Sequence, residues 1–286
     1  MPSAATSTFL SILGWSLLPS YATDILLRFI VVPYLGIPPT PLTRRLTYAV
    51  VVFSYLVYNF VSAASSMPPN FYDWLGVPID VDESGLKLAF RAFARRFHPD
   101  RVGPQGTMLF TVVRAGYEAL MDPAKRWAYD RFGPEILAEC QHCVTPRDYL
   151  MRGLIQSLGF HIGSGVFLVI FTAIGQKSSV AYWRYTLFFT LAAAEIAILF
   201  APSPSMRTVY DRGPNILAVI LPTRLPYQHI RFLHQIFVFL SVGLSRVVPV
   251  LFPSNGEDAT NGLSPAQTSD MLMRAKTIDA EGSSRL

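Results

Sequence analysis

The sequence predicts an all-α chain in which a small helical domain is inserted between membrane-spanning helices. Of the 286 residues, 51% are hydrophobic and only 15% are charged, against roughly 25% charged residues in ordinary soluble domains. The charges are unevenly spread, so that long uncharged runs surround one charge-rich insert at residues 70–135. Within that insert the apolar residues recur every three or four positions, which is the period of a helix.

This composition favours a membrane protein over a soluble enzyme. With only two cysteines, the chain is not a disulfide-based scaffold, and it is too apolar to be disordered along its length. The net charge of +5 is no argument for a nucleic-acid partner, because positive charge also collects in the loops of membrane proteins. We therefore expect a lipid bilayer as a partner and no nucleic acid.

Residues 46–65 form the clearest predicted transmembrane helix. They are 20 consecutive uncharged residues behind the basic pair Arg44-Arg45, and about 20 apolar residues span a hydrocarbon core of about 30 Å. Residues 153–252 contain further apolar runs and predict a membrane region of about three helices. The polar residues 253–286 that follow predict a disordered tail.

The N-terminal apolar segment, residues 1–45, admits three interpretations. Residues 9–18 and the small residues behind them resemble the apolar core of a cleavable signal, although no positive charge precedes them. In the second interpretation the segment is an interfacial or spanning helix. In the third it is a re-entrant hairpin, and its breaks would fall at Pro19, Pro33 and Pro38-Pro39.

The insert begins with two helices that carry matching apolar stripes. Asp82 precedes the first helix and can accept hydrogen bonds from its unpaired amide groups. Pro99 ends that helix, because proline disfavours helical geometry in the residue before it. A loop then leads to a second helix near Thr107, and helices with facing stripes should pack antiparallel. The stripes are Leu86, Phe90, Phe93 and Phe97 on the first helix, and Phe110, Val113, Tyr117 and Leu120 on the second.

Two shorter helices complete the insert. Asp122-Pro123 predicts an N-cap followed by proline at the first helical position, and the helix that it opens ends at Gly133. Upstream, residues 71–77 predict a short aromatic helix that can cover the open side of the hairpin. From these two helices the predicted core gains Tyr72, Leu75 and Tyr129.

The first hairpin helix also carries a row of cations. They lie away from the apolar stripe, and a His-Pro-Asp tripeptide follows the helix directly. A row of charges by itself indicates only a solvated helix face, and the tripeptide by itself indicates little. The cations are Lys87, Arg91, Arg95, Arg96 and, beyond the tripeptide, Arg101.

Taken together, these residues make the insert resemble a J domain, the module shared by DnaJ-type co-chaperones. The resemblance is specific because the tripeptide stands in register with the basic helix before it and with a tyrosine-aspartate block after it. It covers residues 70–135, under a quarter of the chain. The matching residues are Phe71-Tyr72, Leu75-Gly76-Val77, Leu86-Lys87, Ala89-Phe90-Arg91, Ala94, Phe97-His98-Pro99-Asp100-Arg101, Tyr117-Glu118-Ala119-Leu120, Asp122-Pro123-Ala124-Lys125-Arg126 and Tyr129-Asp130.

The resemblance implies stimulation of ATP hydrolysis by a partner of the heat-shock protein 70 class. The cations would attract an acidic patch on that partner and speed the encounter, and Asp100 could accept a bidentate hydrogen bond from an arginine. Such a module biases the partner's conformational equilibrium, so we expect no enzymatic activity, no catalytic residue, no cofactor and no metal. The expected partner-binding residues are His98, Pro99, Asp100, Lys87, Arg91, Arg95, Arg96 and Arg101.

Some residues depart from the family pattern. Gly85 stands where a glutamate would complete a capping box, so the start of the first helix is expected to fray. Val102 replaces a common asparagine and Gly116 a common alanine. The sequence lacks the Gly/Phe-rich linker and the CxxCxGxG repeats of larger relatives. It therefore resembles a membrane-tethered member of the divergent third class, class C.

Two cysteines lie in the linker at residues 136–152. Cys140 and Cys143 lack the full set of four ligands that zinc requires. We interpret them as juxtamembrane thiols, either without special function or modified by lipid. A redox-active pair is the alternative if the linker faces an oxidising lumen.

Glu195 lies within an apolar run. A carboxyl group is costly in lipid, so we expect Glu195 to face a polar partner, either His161 or Arg184, and to stay protonated. A proton or ion path through the membrane is the alternative interpretation.

The sidedness of the J domain is predicted from loop cations. Six of these cations fall on the side of the J domain and four on the other side. Because loop cations collect on the cytosolic side, this count favours a cytosolic J domain. The Arg44-Arg45 pair favours the opposite orientation. We expect the endoplasmic reticulum membrane, with a mitochondrial membrane as the alternative. The predicted role is protein folding, translocation or quality control, with unfolded or membrane proteins as clients.

A competing hypothesis treats the membrane helices as a transporter or channel-like bundle with a regulatory or docking-only J domain. A transporter should bring several intramembrane polar groups together at one cavity. The clearest candidates in the sequence are Glu195 and His161.

Overall fold

The structure, a computed structural model, describes residues 4–174, 180–201, 217 and 220–252. Every regular element in this part of the chain is a helix, which confirms the predicted all-α fold. The predicted tail at residues 253–286 lies outside the described residues. The helices are α1 (Ala4–Leu26), a π-helical turn (Leu27–Val31), α2 (Val32–Leu35), α3 (Pro41–Ser65), α4 (Phe71–Leu75), α5 (Glu83–Arg96), α6 (Pro99–Met121), α7 (Pro123–Phe132), α8 (Glu135–Glu139), α9 (Pro146–Ile174), α10 (Val180–Phe200) and α11 (Pro226–Leu251).

Among the residues that the structure describes, five helical segments are long and apolar enough to cross a membrane. Between 11% and 28% of each segment is buried within the protein. Most of their apolar surface is therefore exposed, which suits contact with lipid and agrees with the expectation of a membrane protein. The five segments are Leu17–Leu35, Pro41–Ser65, Pro146–Ile170, Tyr182–Phe200 and Pro226–Leu251.

The N-terminal helix corrects one of the three interpretations of that segment. The chain stays helical through Pro19, and the π-helical turn carries it on to Pro33, since a wider turn tolerates the missing amide of proline. It first breaks at Gly36, whose φ of 64° ends the helix in the left-handed conformation. A hairpin broken at Pro19 and Pro33 is therefore wrong. The next helix, α3, starts at Pro41, five residues before the start predicted for the transmembrane helix.

The chain separates into two compact units, residues 1–57 with 240–286, and residues 58–239. In the first unit the rings of Trp15 and Tyr55 pack edge to face, with centroids 4.8 Å apart. The second unit contains the charge-rich insert together with α9, α10 and the first part of α11.

In the second unit, α5 and α6 pack antiparallel through the two apolar stripes. Phe90 stacks on Tyr117 with ring centroids 4.1 Å apart, and Phe93 lies 6.4 Å from Phe110. Each buried Leu or Phe side chain contributes about 1.5–3 kcal/mol. In the resulting core Tyr72, Leu75, Leu86, Phe93, Val113, Leu120 and Tyr129 are buried, with Phe90, Phe97, Phe110 and Tyr117 packed against them.

The start of α6 differs from the sequence prediction. Helical structure resumes at Pro99, because the fixed φ of proline suits the first position of a helix. The backbone then breaks at Gly103, whose φ is 71°, a value that glycine adopts readily. The prediction of a loop that extends to Thr107 is therefore wrong, since a helical turn occupies the first part of it.

Polar side chains cap the short helices of the insert. Asn70 and Asp73 form a capping box at the start of α4, and the Asp122 carboxylate accepts a hydrogen bond from the amide of α7 residue 124 at 2.9 Å. At α5, which was expected to fray, Asp82 accepts a hydrogen bond from the Gly85 amide at 2.9 Å. Each cap stabilises its helix by about 1 kcal/mol.

The linker after α7 contains a short helix that the sequence pattern did not predict, α8. Immediately beyond it Cys140 and Cys143 are joined in a disulfide bond, with their Cα atoms 5.4 Å apart. The structure thus has the pair in its oxidised form, whereas we expected two thiols with no special function.

The start of α11, together with the residue before it, completes the core of the insert. Leu225 is fully buried there and Tyr227 almost so. Gln228 donates a hydrogen bond to the Pro68 carbonyl at 2.9 Å and accepts one from the Asn70 amide group at 3.2 Å. The insert is therefore docked against α11 and is not a freely tethered module.

A buried arginine makes a second connection, between the insert and α10. The guanidinium of Arg131 on α7 donates to the carbonyl of Leu199 at 2.9 Å and to that of Ala201 at 2.6 Å. These carbonyls lie at the carboxyl end of α10, where the helix dipole favours a cation. The ring of Trp127 lies 4.3 Å from the same guanidinium.

Gly116 illustrates how tightly α4 packs on the hairpin. An added Cβ at this position would lie 2.6 Å from Cγ of Phe71, closer than packed atoms can approach. We expect Gly116→Ala to destabilise the insert by about 1–3 kcal/mol, as other overpacking substitutions do. Faster hydrogen exchange of the α6 amides in the purified full chain would measure the loss.

The matched control for this substitution is Thr111→Ala, at an exposed position of the same helix. Protection of the α6 amides should stay unchanged in that variant, because alanine is the better helix former. Unchanged protection in Gly116→Ala would contradict the packing described for Phe71.

Candidate functional site

The exposed side of α5 carries the predicted basic face. Arg91, Arg95 and Arg96 are all exposed, whereas Lys87 is only partly so. The Nε of Arg95 donates to the carbonyl of Arg91 at 3.3 Å, which keeps these two arginines along one side of the helix. Three of the predicted cations therefore face solvent along α5.

Lys87 contributes less to this face than the arginines do. Its ammonium group pairs with the carboxylate of Glu83 one turn earlier, and that hydrogen bond raises the pKa of Lys87. At the same end of the helix the hydroxyl of Ser84 lowers the pKa of Asp82 by donating a hydrogen bond to its carboxylate. The start of α5 is therefore mixed in charge, and the positive potential concentrates towards its carboxyl end.

His98 lies in the turn between α5 and α6. The Phe97 amide donates to the Phe93 carbonyl at 2.9 Å and closes α5. The imidazole of His98 is exposed, and its centroid lies 6.2 Å from that of Phe110. The side chains of Pro99, Asp100 and Arg101 lie outside the described residues, although their backbone is helical.

A buried hydrogen-bond network fixes the helices behind this face. The hydroxyl of Tyr72 donates to the Asp130 carboxylate at 2.9 Å and accepts from Nε of Arg126 at 2.9 Å. Arg126 also donates to the carbonyls of Ile79 and Val81, each at 2.9 Å. One arginine thus ties α7 to α4 and to the loop that leads into α5.

Burial controls the charge of Asp130 in this network. The residue is fully buried, and one of its carboxylate oxygens has no hydrogen-bond partner among the described residues. Desolvation raises the pKa of Asp130 to about 7, although the hydrogen bond from Tyr72 and the charge of Arg126 act in the opposite direction. Sequence reasoning placed Arg126 and Asp130 among the matching residues but did not find this network.

The described part of the face is suited to binding. It presents exposed guanidinium groups and one imidazole, which complement an acidic protein surface. The hairpin behind them is packed and hydrogen-bonded, so the helix that carries the charges is fixed in position.

Comparison with known proteins agrees with this geometry. Residues 70–130 match the family model of the DnaJ domain. The helices α4 to α7 therefore form a J domain, which supports the resemblance stated from the sequence. The match covers less than half of the chain and leaves the membrane region outside it.

The similar curated proteins match over the same short stretch. A chaperone protein DnaJ of Mesorhizobium japonicum is 48% identical over 69 residues, which is 23% of this chain and 18% of that protein. One from Caulobacter vibrioides is 47% identical over 66 residues, covering 22% and 17%, and one from Brucella canis is 45% identical over 69 residues, covering 23% and 18%. The chain thus spans under a fifth of the length of these relatives. No solved structure matches it.

The raised pKa of Asp130 predicts a pH-dependent stability. The folded value of about 7 exceeds the value of about 3.9 for an exposed aspartate, so the folded protein holds this proton more tightly than the unfolded chain. The contribution of Asp130 to the free energy of unfolding therefore falls as pH rises from about 4 to about 7. Asp130→Asn should remove this contribution.

We compare the melting temperature of the wild-type protein with that of Asp130→Asn at each pH. The difference, wild type minus variant, should be larger at pH 5 than at pH 8. Scanning calorimetry of the full chain in lipid nanodiscs measures both. Other titrating groups are common to the two proteins and cancel in the difference. An unchanged difference across this range would mean that Asp130 keeps its ordinary pKa.

Proposed function

We propose that this protein is a membrane-embedded J-domain co-chaperone. It recruits an ATPase of the heat-shock protein 70 class to a membrane and stimulates its ATP hydrolysis, with no enzymatic activity of its own. The observation that carries the proposal is the coincidence, within the matched residues 70–130, of an exposed His98 with the exposed arginines of α5.

The basic face of α5 provides the encounter with the partner. Arg91, Arg95 and Arg96 would attract an acidic patch on the ATPase and raise the association rate at low salt. His98 stands at the carboxyl end of this face, followed by Pro99 and Asp100. The tripeptide then engages one conformation of the ATPase and favours it over the other.

The membrane helices provide the location. Five apolar segments would hold the J domain at a bilayer, and the Arg131 and Gln228 hydrogen bonds would keep it against them. We propose the endoplasmic reticulum membrane, with unfolded or membrane proteins as clients in folding, translocation or quality control. The relatives are named chaperones, which favours this role over a transporter with an appended J domain.

His98→Gln tests the proposed stimulation. The full chain in lipid nanodiscs should accelerate ATP turnover by a purified heat-shock ATPase, and His98→Gln should return the turnover to its basal rate. The reason is that glutamine keeps the size and polarity of the side chain but lacks the imidazole. Steady-state ATP hydrolysis over a series of co-chaperone concentrations measures the effect.

The matched control is His142→Gln, because His142 is an equally exposed histidine of the linker outside the J domain. That variant should stimulate as strongly as the wild type. If the wild-type chain binds ATPases from each cellular compartment without accelerating any of them, the J domain is a docking module and the proposed stimulation is wrong.

Sidedness decides which ATPase the J domain can reach. We propose the cytosolic face, on the count of loop cations. The disulfide between Cys140 and Cys143 favours the opposite face, because disulfides persist in oxidising compartments and are rare in the cytosol. The two orientations therefore predict different redox states of the same pair.

In sealed microsomes with the cytosolic side outward, we expect a membrane-impermeant maleimide to label Cys140 and Cys143 without a reductant. A mass shift of two adducts would support the cytosolic orientation. Labelling that requires both a reductant and detergent would place the J domain in the lumen and make a lumenal ATPase its partner. A Cys140→Ser, Cys143→Ser variant gives the background.

A further inference from the structure

Three membrane-spanning helices bring together one carboxylate and two imidazoles. Nε2 of His161 on α9 lies 2.7 Å from Oε2 of Glu195 on α10, and Nε2 of His234 on α11 lies 2.9 Å from the same oxygen. The hydroxyl of Ser157 donates to the other oxygen of that carboxylate. His161 was one of the two partners predicted for Glu195, whereas His234 was not predicted.

The burial of this cluster points to a ligand. Glu195 is only 2% exposed, and the side chains of His161 and His234 are 14% and 19% exposed. An ionisable group buried in a membrane-spanning helix is costly. A bound cation offsets that cost, because it neutralises the carboxylate.

The distances between the donor atoms are close to those of a metal site. One donor atom from each of His161, Glu195 and His234 lies within 4.8 Å of the others. Two ligands bound to zinc at about 2.1 Å, at a tetrahedral angle, are about 3.4 Å apart. The observed separations of 2.7, 2.9 and up to 4.8 Å bracket that value, so small side-chain movements would suffice.

The chemistry of the donors selects the class of metal. Two imidazole nitrogens and one carboxylate oxygen suit zinc and the neighbouring divalent transition metals, whereas calcium and magnesium require oxygen ligands. Three protein ligands leave a fourth position for water or a small molecule. A cavity of about 220 Å³, lined in part by Ser157, Glu195 and His234, provides room for that fourth ligand.

Aromatic neighbours hold the two imidazoles in place. The ring of Phe160 is stacked on His234, with centroids 3.7 Å apart and planes 4° from parallel. The ring of His161 meets Phe188 edge to face at 5.7 Å. Ligands whose orientation is fixed by packing lose little freedom on binding, which favours affinity and geometric selectivity.

We propose that His161, Glu195 and His234 form a binding site for a divalent transition-metal ion of the zinc class inside the membrane bundle. The ion would link α9, α10 and α11 at one point, and its fourth position would open towards the cavity. Arg131 of the J domain binds the Leu199 carbonyl on the same helix as Glu195, so the ion would also stabilise the helix on which the J domain is docked.

Zinc binding by the full chain tests this proposal. The purified protein in lipid nanodiscs, stripped of metal by a chelator, should bind one Zn²⁺ per chain in a titration against a chromophoric competitor. Zinc should also raise its melting temperature, because a ligand of the native state stabilises that state. Glu195→Gln, His161→Gln and His234→Gln should each weaken binding by more than about 100-fold, beyond the loss of an outer-shell partner.

His142→Gln is the matched control, since His142 lies between Cys140 and Cys143 and could itself attract zinc. Binding should persist in this variant, and Co²⁺ in the site should lack the near-ultraviolet charge-transfer band of thiolate ligands. Circular dichroism of each variant shows that its helices remain. If folded wild-type protein binds no zinc, or if only His142→Gln abolishes binding, the membrane site is wrong.

Discussion

The burial of one apolar stripe of α5 against α6 is the constraint on which the proposed partner interface depends. An α-helix turns once every 3.6 residues, so burying Leu86 and Phe93 forces the cations between them towards solvent. The stack of Phe90 on Tyr117 fixes the rotation of the helix about its own axis. Packing of the core therefore sets the side of α5 on which the arginines lie, and no further contact is needed to place them there.

Helix α7 joins this hairpin to α10 through two adjacent residues that point in different directions. Asp130 lies in the core of the J domain and accepts the hydrogen bond of Tyr72. Arg131 lies against α10 and donates to the Leu199 carbonyl. Because both side chains are buried, neither can reorient without leaving a polar group unpaired. The J domain is thereby held in one orientation against α10 within the second unit of the chain.

The proposed metal site and the docking of the J domain depend on the same helix. Glu195 and Leu199 are four residues apart on α10, which places them on neighbouring turns of one face. A metal ion bound to Glu195 would restrain this part of α10. One turn further along the helix, the carbonyl of Leu199 accepts the hydrogen bond from Arg131. The buried cluster of Glu195, His161 and His234, which would also suit a transporter, is thus equally compatible with a structural role beside the proposed co-chaperone domain.

The sequence by itself determined the features that depend on local period and local chemistry. It placed the two stripes of the hairpin, the Asp82 and Asp122 caps, and the apolar runs, because helical periodicity and capping act within a few residues. The tripeptide His98-Pro99-Asp100 was singled out by the resemblance to the J-domain family, because it stands in register with the basic helix before it.

Only the tertiary structure decided which distant residues meet. Gln228 contacts Asn70 across 158 residues of sequence, and His234 reaches Glu195 from another helix. Local patterns carry no information on such pairs. Each partner fits the pattern of the helix in which it lies, whichever distant residue it meets. The pairs form because buried polar groups must find partners once the helices have packed together.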